Sequence, residues 1–210
     1  MAIICPTITA YTKEDYASEL KNIEKIADRI HIDLTDGKFA PSRTINTIQV
    51  YWPENIKADI HLMFDNPENE LHTLVSLQPN LVILHCEAKG DIEGTLNELK
   101  LAGIKTGIAL LQDTPVGEAS RYIEMCDHAL VFSGNLGYHG GSADLSLLDK
   151  IDDIKSVNSD IEISWDGGIN DLNIKRLVSG GVDVLNVGGF IQNSPKPGSA
   201  YAILEQIIDG

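Results

Sequence analysis

The chain has 210 residues and a formal net charge of −15, from 31 acidic and 16 basic residues. This acidic balance argues against nucleic acid or an anionic membrane surface as a partner, because phosphate backbones require clustered lysine and arginine. No segment approaches the roughly 18 consecutive apolar residues of a membrane span. The first residues also lack the basic and apolar regions of a signal peptide. We therefore expect a soluble, cytoplasmic protein.

In chain order, short runs rich in β-branched residues alternate with polar, helix-like segments. The strand-like runs are Ile3–Thr7, Arg29–Leu34, Lys57–Met63, Leu81–Cys86, Lys105–Leu110, His128–Phe132, Glu162–Trp165 and Val182–Val187. The helix-like segments are Lys13–Ala27, Pro67–Leu77, Asp91–Ala102, Ser146–Val157, Leu172–Ser179 and Ala200–Ile208, with weaker ones at Thr44–Val50 and Val116–Tyr122. This alternation predicts an α/β protein, a single (β/α)8 TIM barrel forming one domain over residues 1–210. An open doubly wound sheet is the alternative.

Histidine and aspartate interrupt the ends of these strand-like runs. His31 and Asp33 are two residues apart, so their side chains share one face of a strand. His61 lies near the end of the third run, and Asp166 follows the seventh. The carboxyl ends of barrel strands meet at the active-site face, so these four side chains are expected to converge. Two imidazoles and two carboxylates predict a site for one divalent transition metal: Zn, Fe(II), Mn or Co.

His85 lies near the end of the fourth run, two residues before Glu87. We expect this histidine to support a metal ligand or to line the substrate pocket, with Glu87 as its partner.

Glycine clusters follow the last three strand-like runs. They contain Gly137, Gly140 and Gly141, then Gly167 and Gly168, then Gly188 and Gly189. Glycine lets backbone N–H groups approach an anion, and barrels commonly bind phosphate with the loops after strands 7 and 8. These loops therefore predict a phosphate site, although each Gly-Gly pair alone is also ordinary turn chemistry.

Taken together, the motifs resemble those of the ribulose-phosphate 3-epimerase family over nearly the whole chain. The matching segments are Cys5-Pro6-Thr7, "HIDLTDGKFAP", Asp59–Met63, Asn66-Pro67, "HCE" and Asp166–Gly168.

The resemblance implies a TIM barrel that interconverts ribulose 5-phosphate and xylulose 5-phosphate. It assigns His31, Asp33, His61 and Asp166 as metal ligands, and Asp33 and Asp166 as the acid/base pair. It also places a further group of residues against the substrate. These are Thr7, His61, Met63, Gly137, Gly140, Gly141, Gly167, Gly168, Gly188 and Gly189. Two carboxylates suit this reaction, because inverting a carbon requires proton removal on one face and return on the other.

The sequence departs from the family pattern around this site. Thr35 and Phe132 stand where the family has methionines, and His139 is inserted in the loop after the sixth strand. Arg43 or His139 is a candidate contact for the phosphate, and a solvated loop charge is the alternative for both.

Three other functions remain open at this point. The first is a related hexulose-6-phosphate 3-epimerase, and the second is a barrel relative with aldol or decarboxylation chemistry, which would need a lysine inside the barrel. The third is a diverged, non-catalytic paralogue. The expected partner is a small phosphorylated ketose. The sequence leaves the native metal and the oligomeric state open, a homo-oligomer included.

Overall fold

The computed structural model describes residues 2–210, in which eight parallel strands pair in chain order and the last pairs with the first. The strands are β1 Ile3–Ile8, β2 Arg29–Thr35, β3 Lys57–Met63, β4 Leu81–His85, β5 Lys105–Leu110, β6 His128–Phe132, β7 Glu162–Asp166 and β8 Val184–Val187. This closed ring confirms the predicted (β/α)8 TIM barrel.

Helices connect most of the strands. Within residues 2–210 they are α1 Lys13–Ile23, α2 Leu71–Leu77, α3 Ile92–Leu101, α4 Val116–Met125, α5 Asp149–Val157, α6 Ile174–Ser179, α7 Gly189–Gln192 and α8 Pro197–Asp209. Side-chain caps fix two of the starts: Thr12 accepts from the backbone N–H of Asp15, and Asp91 accepts from that of Gly94. Such caps satisfy backbone donors that have no partner inside a helix. None of these helices is both long and apolar enough to cross a membrane.

The connection between β2 and β3 differs from the prediction. The segment Thr44–Val50 is not a helix and contains only a 3-10 turn at Thr47–Gln49. The backbone N–H of Thr44 bonds to Thr35, and that of Ile45 bonds to Ala10. These bonds tie the start of the segment to the end of β2 and to the loop after β1, and the crossover contains no α-helix.

Element ends also shift from their predicted positions. Helix α1 ends at Ile23 rather than Ala27, and β7 continues to Asp166. The short helix α7 directly after β8 was not predicted, because four residues are too few to show helical periodicity.

The strands bury both faces, as parallel strands in a barrel do. Side chains such as Ile30, Ile32 and Ile60 belong to the large core between the strands and the helices. The barrel interior is divided. Beside β4, β5 and β6 it is filled by a small apolar cluster of Leu81, Ile83, Ala109, Leu130 and Phe132. Beside β2, β3 and β7 the interior instead contains four buried polar side chains, those of His31, Asp33, His61 and Asp166.

A charged network lies at the start of these strands, away from their carboxyl ends. Arg29 contacts Asp59 (Nε to Oδ2, 2.6 Å) and binds both carboxylate oxygens of Glu162. His128 contacts Glu162 in turn, with 2.8 Å between Nδ1 and Oε2. The network pairs the buried charged side chains at this end of the barrel with one another. The site lies at the opposite end.

Candidate active site

Strands β2 and β3 place three of the predicted site residues side by side. His31 and Asp33 are two residues apart on β2, and His61 of β3 is directly opposite Asp33 in the parallel register. Both histidines are fully buried, and Asp33 is 8% exposed. The fourth residue, Asp166, ends β7 and is 7% exposed. The sequence spacing and the barrel closure thus bring all four to one point.

The four side chains form a tight cluster. The Oδ1 atom of Asp33 is 2.9 Å from Nδ1 of His61 and 3.2 Å from Nε2 of His31. The Oδ2 atom of Asp166 is 3.7 Å from Nδ1 of His61 and 3.9 Å from Nε2 of His31. One donor atom from each residue lies within 4.8 Å of all the others.

The two carboxylates of the cluster have opposite electrostatic surroundings. Burial opposes ionisation of Asp33, but the neighbouring imidazoles of His31 and His61, the second of them hydrogen-bonded to Asp33, outweigh it and lower the pKa of Asp33. Burial and the negative charge of Asp33 raise the pKa of Asp166. Two carboxyl groups with separated pKa values can act as an acid and a base in one reaction.

The cluster could hold a metal ion. Neither ring nitrogen of the buried His31 has a hydrogen-bond partner among the described residues, although an unpaired buried polar atom is costly. Ligand atoms around a zinc ion with bonds of about 2.1 Å lie about 3.4 Å apart, close to the separations found here. Two imidazoles and two carboxylates also match the ligand preference of Zn, Fe(II), Mn or Co. The residues present therefore fit one divalent transition metal.

A chain of hydrogen bonds extends behind His61. Its Nε2 atom is 2.8 Å from Nε2 of His85, and Nδ1 of His85 is 3.2 Å from Oε2 of Glu87. Glu87 also accepts hydrogen bonds from the hydroxyl of Thr114 and the backbone N–H of Leu111. If His61 offers Nδ1 to a cation, its proton lies on Nε2 and is donated to His85, which in turn donates to Glu87. This arrangement fixes the orientation of His61.

Glycines shape the loops above the cluster. Gly167 has φ +111°, and a Cβ atom there would lie 2.1 Å from the backbone nitrogen of Gly134. Gly168 has φ +69°, and a Cβ there would lie 2.1 Å from the backbone nitrogen of Ala143. Only glycine allows the loops after β6 and β7 to approach this closely.

The loops and strand ends surround one cavity. Its wall contains both aspartates, Thr7, Met63 and all seven predicted glycines, which are Gly137, Gly140, Gly141, Gly167, Gly168, Gly188 and Gly189. His61, for which a substrate contact stays a prediction, is fully buried and is not among the residues of this wall. The hydroxyl oxygen of Thr7 is buried and has no partner among the described residues.

The structure locates two positions that depart from the family pattern, Phe132 and Thr35, and the phosphate candidate Arg43. Phe132 is in the cavity wall, with its ring centroid 6.2 Å from those of His61 and His85. Thr35 is outside the wall, 3.2 Å from Ser42 between their hydroxyl oxygens. Arg43 is also outside and donates to the backbone carbonyl of Asp36. Arg43 is therefore the weaker of the two phosphate candidates.

Asn186 of β8 is a cavity residue that the sequence reasoning missed. It is 2% exposed, and neither its amide nitrogen nor its amide oxygen has a partner among the described residues. The only signal in the sequence was an asparagine within the apolar run "VLNV".

Comparisons with known proteins agree with this geometry. The model of the ribulose-phosphate 3 epimerase family matches residues 3–191. The chloroplastic ribulose-5-phosphate-3-epimerase of Arabidopsis thaliana is 30% identical over 201 residues, 90% of this chain and 71% of that protein. The ribulose-phosphate 3-epimerase of Bacillus subtilis is 28% identical over 200 residues, 91% of this chain and 92% of that protein.

Solved structures are similar in fold. The crystal structure of 3-hexulose-6-phosphate synthase from Salmonella typhimurium has a TM-score of 0.75 at 16% identity, covering 98% of both chains. That of KGPDC from Streptococcus mutans has a TM-score of 0.76 at 11% identity, covering 100% of this chain and 98% of that one. At these identities the likeness extends to the barrel fold alone.

Proposed function

Because the chain belongs to the ribulose-phosphate 3-epimerase family, we propose that it interconverts ribulose 5-phosphate and xylulose 5-phosphate by inverting C3. The observation that carries this proposal is the pair Asp33 and Asp166. They come from strands β2 and β7, both line the cavity, and both contact the same two histidines.

In the proposed reaction, one aspartate removes the proton from C3 and the other returns a proton on the opposite face. The roles exchange when the reaction runs backwards. The opposite pKa shifts of Asp33, which is lowered, and Asp166, which is raised, support unlike acid and base roles for the two carboxyl groups. Closure of the barrel around the pair keeps both groups near a substrate held between them.

A divalent transition metal held by His31, Asp33, His61 and Asp166 would polarise the ketone and stabilise the negative charge that develops when the C3 proton leaves. The protein's own part is to orient these ligands. His85 and Glu87 hold the ring of His61 from behind.

The phosphate of the substrate is proposed to bind at the glycine loops after β6, β7 and β8. Met63 and Phe132 are apolar residues of the same cavity wall. No lysine is among the residues that line the cavity in the described chain. This argues against the alternative of Schiff-base aldol chemistry, which requires one.

The test is solvent deuterium exchange at C3 of ribulose 5-phosphate, followed by proton NMR in D₂O with the metal-loaded protein. We expect the wild type to exchange the C3 proton and form xylulose 5-phosphate. Asp33→Asn and Asp166→Asn should each lose at least about a thousandfold in rate, since each removes a group that transfers the proton.

Glu162→Gln is the matched control. Glu162 is also a carboxylate of β7, but it contacts Arg29 and His128 at the other end of the strand. This variant should lose stability and keep exchange activity per folded molecule. Absence of C3 exchange in metal-replete wild type would overturn the assignment of this substrate.

A further inference from the structure

The mouth of the cavity is poor in positive charge. No lysine or arginine lines it among the described residues, although the substrate class proposed above carries a phosphate dianion. The floor contributes two aspartates, which would repel that dianion. His139 is the one side chain of the wall that can become a cation.

His139 is directed at the glycine loop after β8. A Cβ atom built on Gly188 would lie 2.6 Å from Nδ1 of His139 and 3.6 Å from Cβ of Thr7. The imidazole therefore packs on the backbone of Gly188, beside the unpartnered hydroxyl of Thr7. Gly189, which also follows β8, lies close to the loop that carries His139, since a Cβ atom on Gly189 would be 3.6 Å from the backbone nitrogen of Gly140.

The opposite edge of the His139 ring is anchored. Its Nε2 atom is 3.2 Å from Oε2 of Glu19 on helix α1, and that oxygen accepts the backbone N–H of Thr9 at 2.9 Å. Only 19% of the His139 side chain is exposed. The contact leaves Nδ1, the edge beside Gly188, available to a ligand.

The charges around His139 favour its protonated form. Burial opposes protonation, but the hydrogen bond and negative charge of Glu19, with smaller contributions from Asp33 and Asp166, raise the pKa of His139. A histidine with one edge on a carboxylate can present an N–H donor and a positive charge at the other edge.

We propose that His139 binds the phosphate group of the substrate, supplying the side-chain cation that the glycine loops lack. This inference rests on the proposed function for the identity of the substrate, but the predicted phosphate contact does not depend on turnover. His139 would then select phosphorylated over unphosphorylated ketoses, because the imidazolium gains a charge-assisted hydrogen bond only when the phosphate is present.

The test compares His139→Asn with wild type in two assays. The first is titration of inorganic phosphate into the protein, followed by calorimetry or phosphorus NMR, which needs no catalysis. We expect the dissociation constant to rise about tenfold or more, the loss typical of a hydrogen bond to a charged group. The second is steady-state epimerisation of ribulose 5-phosphate, where KM should rise by the same factor and kcat should change less than about threefold.

Two control variants separate phosphate binding from loop support. His72→Asn removes an exposed histidine of α2 outside the cavity and should match wild type in both assays. Glu19→Gln removes the anchor but keeps the imidazole, so it should weaken phosphate binding less than His139→Asn does.

The outcomes are distinguishable from those of the proposed function. Unchanged phosphate affinity in His139→Asn would overturn the inference even if the enzyme is an active epimerase. Equal losses in Glu19→Gln and His139→Asn would also overturn it, since they would indicate a structural latch. A wild type without epimerase activity, but with phosphate affinity that depends on His139, would overturn the substrate assignment and support the phosphate contact.

Discussion

Replacing His85 by asparagine should weaken metal binding without removing a metal ligand. His85 is fully buried and lies between His61 and Glu87, 2.8 Å from the first and 3.2 Å from the second. The asparagine side chain is too short to reach both partners. Nε2 of His61 would then lose its only hydrogen-bond partner among the described residues, and the imidazole could rotate away from the orientation that the cluster needs.

The size of the loss follows from the contacts involved. Removing the partner of a metal-ligating histidine typically lowers metal affinity by about 10- to 100-fold, or about 1.4–2.7 kcal/mol. The upper part of this range is expected here, because Glu87 is itself held by Thr114 and Leu111 and keeps His85 as a well-oriented acceptor. The free energy of unfolding should fall too, since Glu87 loses a partner.

Competition for Zn²⁺ against a chromophoric chelator measures the affinity directly. The control is His128→Asn, which also removes a buried barrel histidine, one that bonds to Glu162 and Ser164 rather than to the cluster. We expect His128→Asn to lower the melting temperature and leave the zinc affinity within about twofold of wild type. Equal zinc affinities for wild type and His85→Asn would refute the role of this hydrogen-bond chain.

Two further predictions concern stability. Gly167→Ala should unfold at a clearly lower temperature, because its Cβ would meet the backbone of Gly134 at 2.1 Å and its φ is +111°. Gly117→Ala in helix α4, where a new Cβ meets nothing within 4 Å, should instead gain about 0.5–1 kcal/mol. Equal melting temperatures for the two variants in a thermal scan would contradict this. Glu87→Gln should reduce the loss of stability in acid. Burial opposes ionisation of Glu87, but hydrogen bonds from His85 and Thr114 lower its pKa from 4.5 to about 2. The unfolded chain therefore binds the proton first, and wild type should lose up to about 3 kcal/mol as pH falls from about 4.5 to 2. The free energy of unfolding can be measured in urea at several pH values. If it changes equally with pH in wild type and in Glu87→Gln, the reasoning is wrong.

The sequence predicts the barrel and the position of the cluster of His31, Asp33, His61 and Asp166 for the same reason. Strand periodicity of two gives the strands, and the same periodicity puts His31 and Asp33 on one face. Barrel closure then brings His61 and Asp166 to that face, because all parallel strands end at the same side. Strand periodicity and the barrel topology together are therefore sufficient to predict that these four residues converge.

The remaining features depend on contacts between distant loops. Segment Thr44–Val50 has enough apolar residues to suggest a weak helix, but the backbone N–H groups of Thr44 and Ile45 pair with the distant residues Thr35 and Ala10. His139 contacts Glu19, which is 120 residues away in the chain. No periodicity encodes such a pairing, so the direction of the His139 side chain could not be derived from the sequence.

The acidic composition is compatible with the proposed anionic substrate class. The positively charged side chains of Arg29 and Arg43 have partners elsewhere and are not needed in the cavity wall. Arg29 enters the barrel, but Asp59 and Glu162 neutralise it at the far end from the cavity. Arg43 is outside the cavity wall, and its guanidinium donates to the carbonyl of Asp36. In the function proposed above, a phosphate would be recognised by short-range donors, namely glycine N–H groups and the imidazole of His139, rather than by long-range attraction. Such a site depends on contact geometry more than on net charge. A net charge of −15 is therefore compatible with binding of a small anionic ligand such as a sugar phosphate.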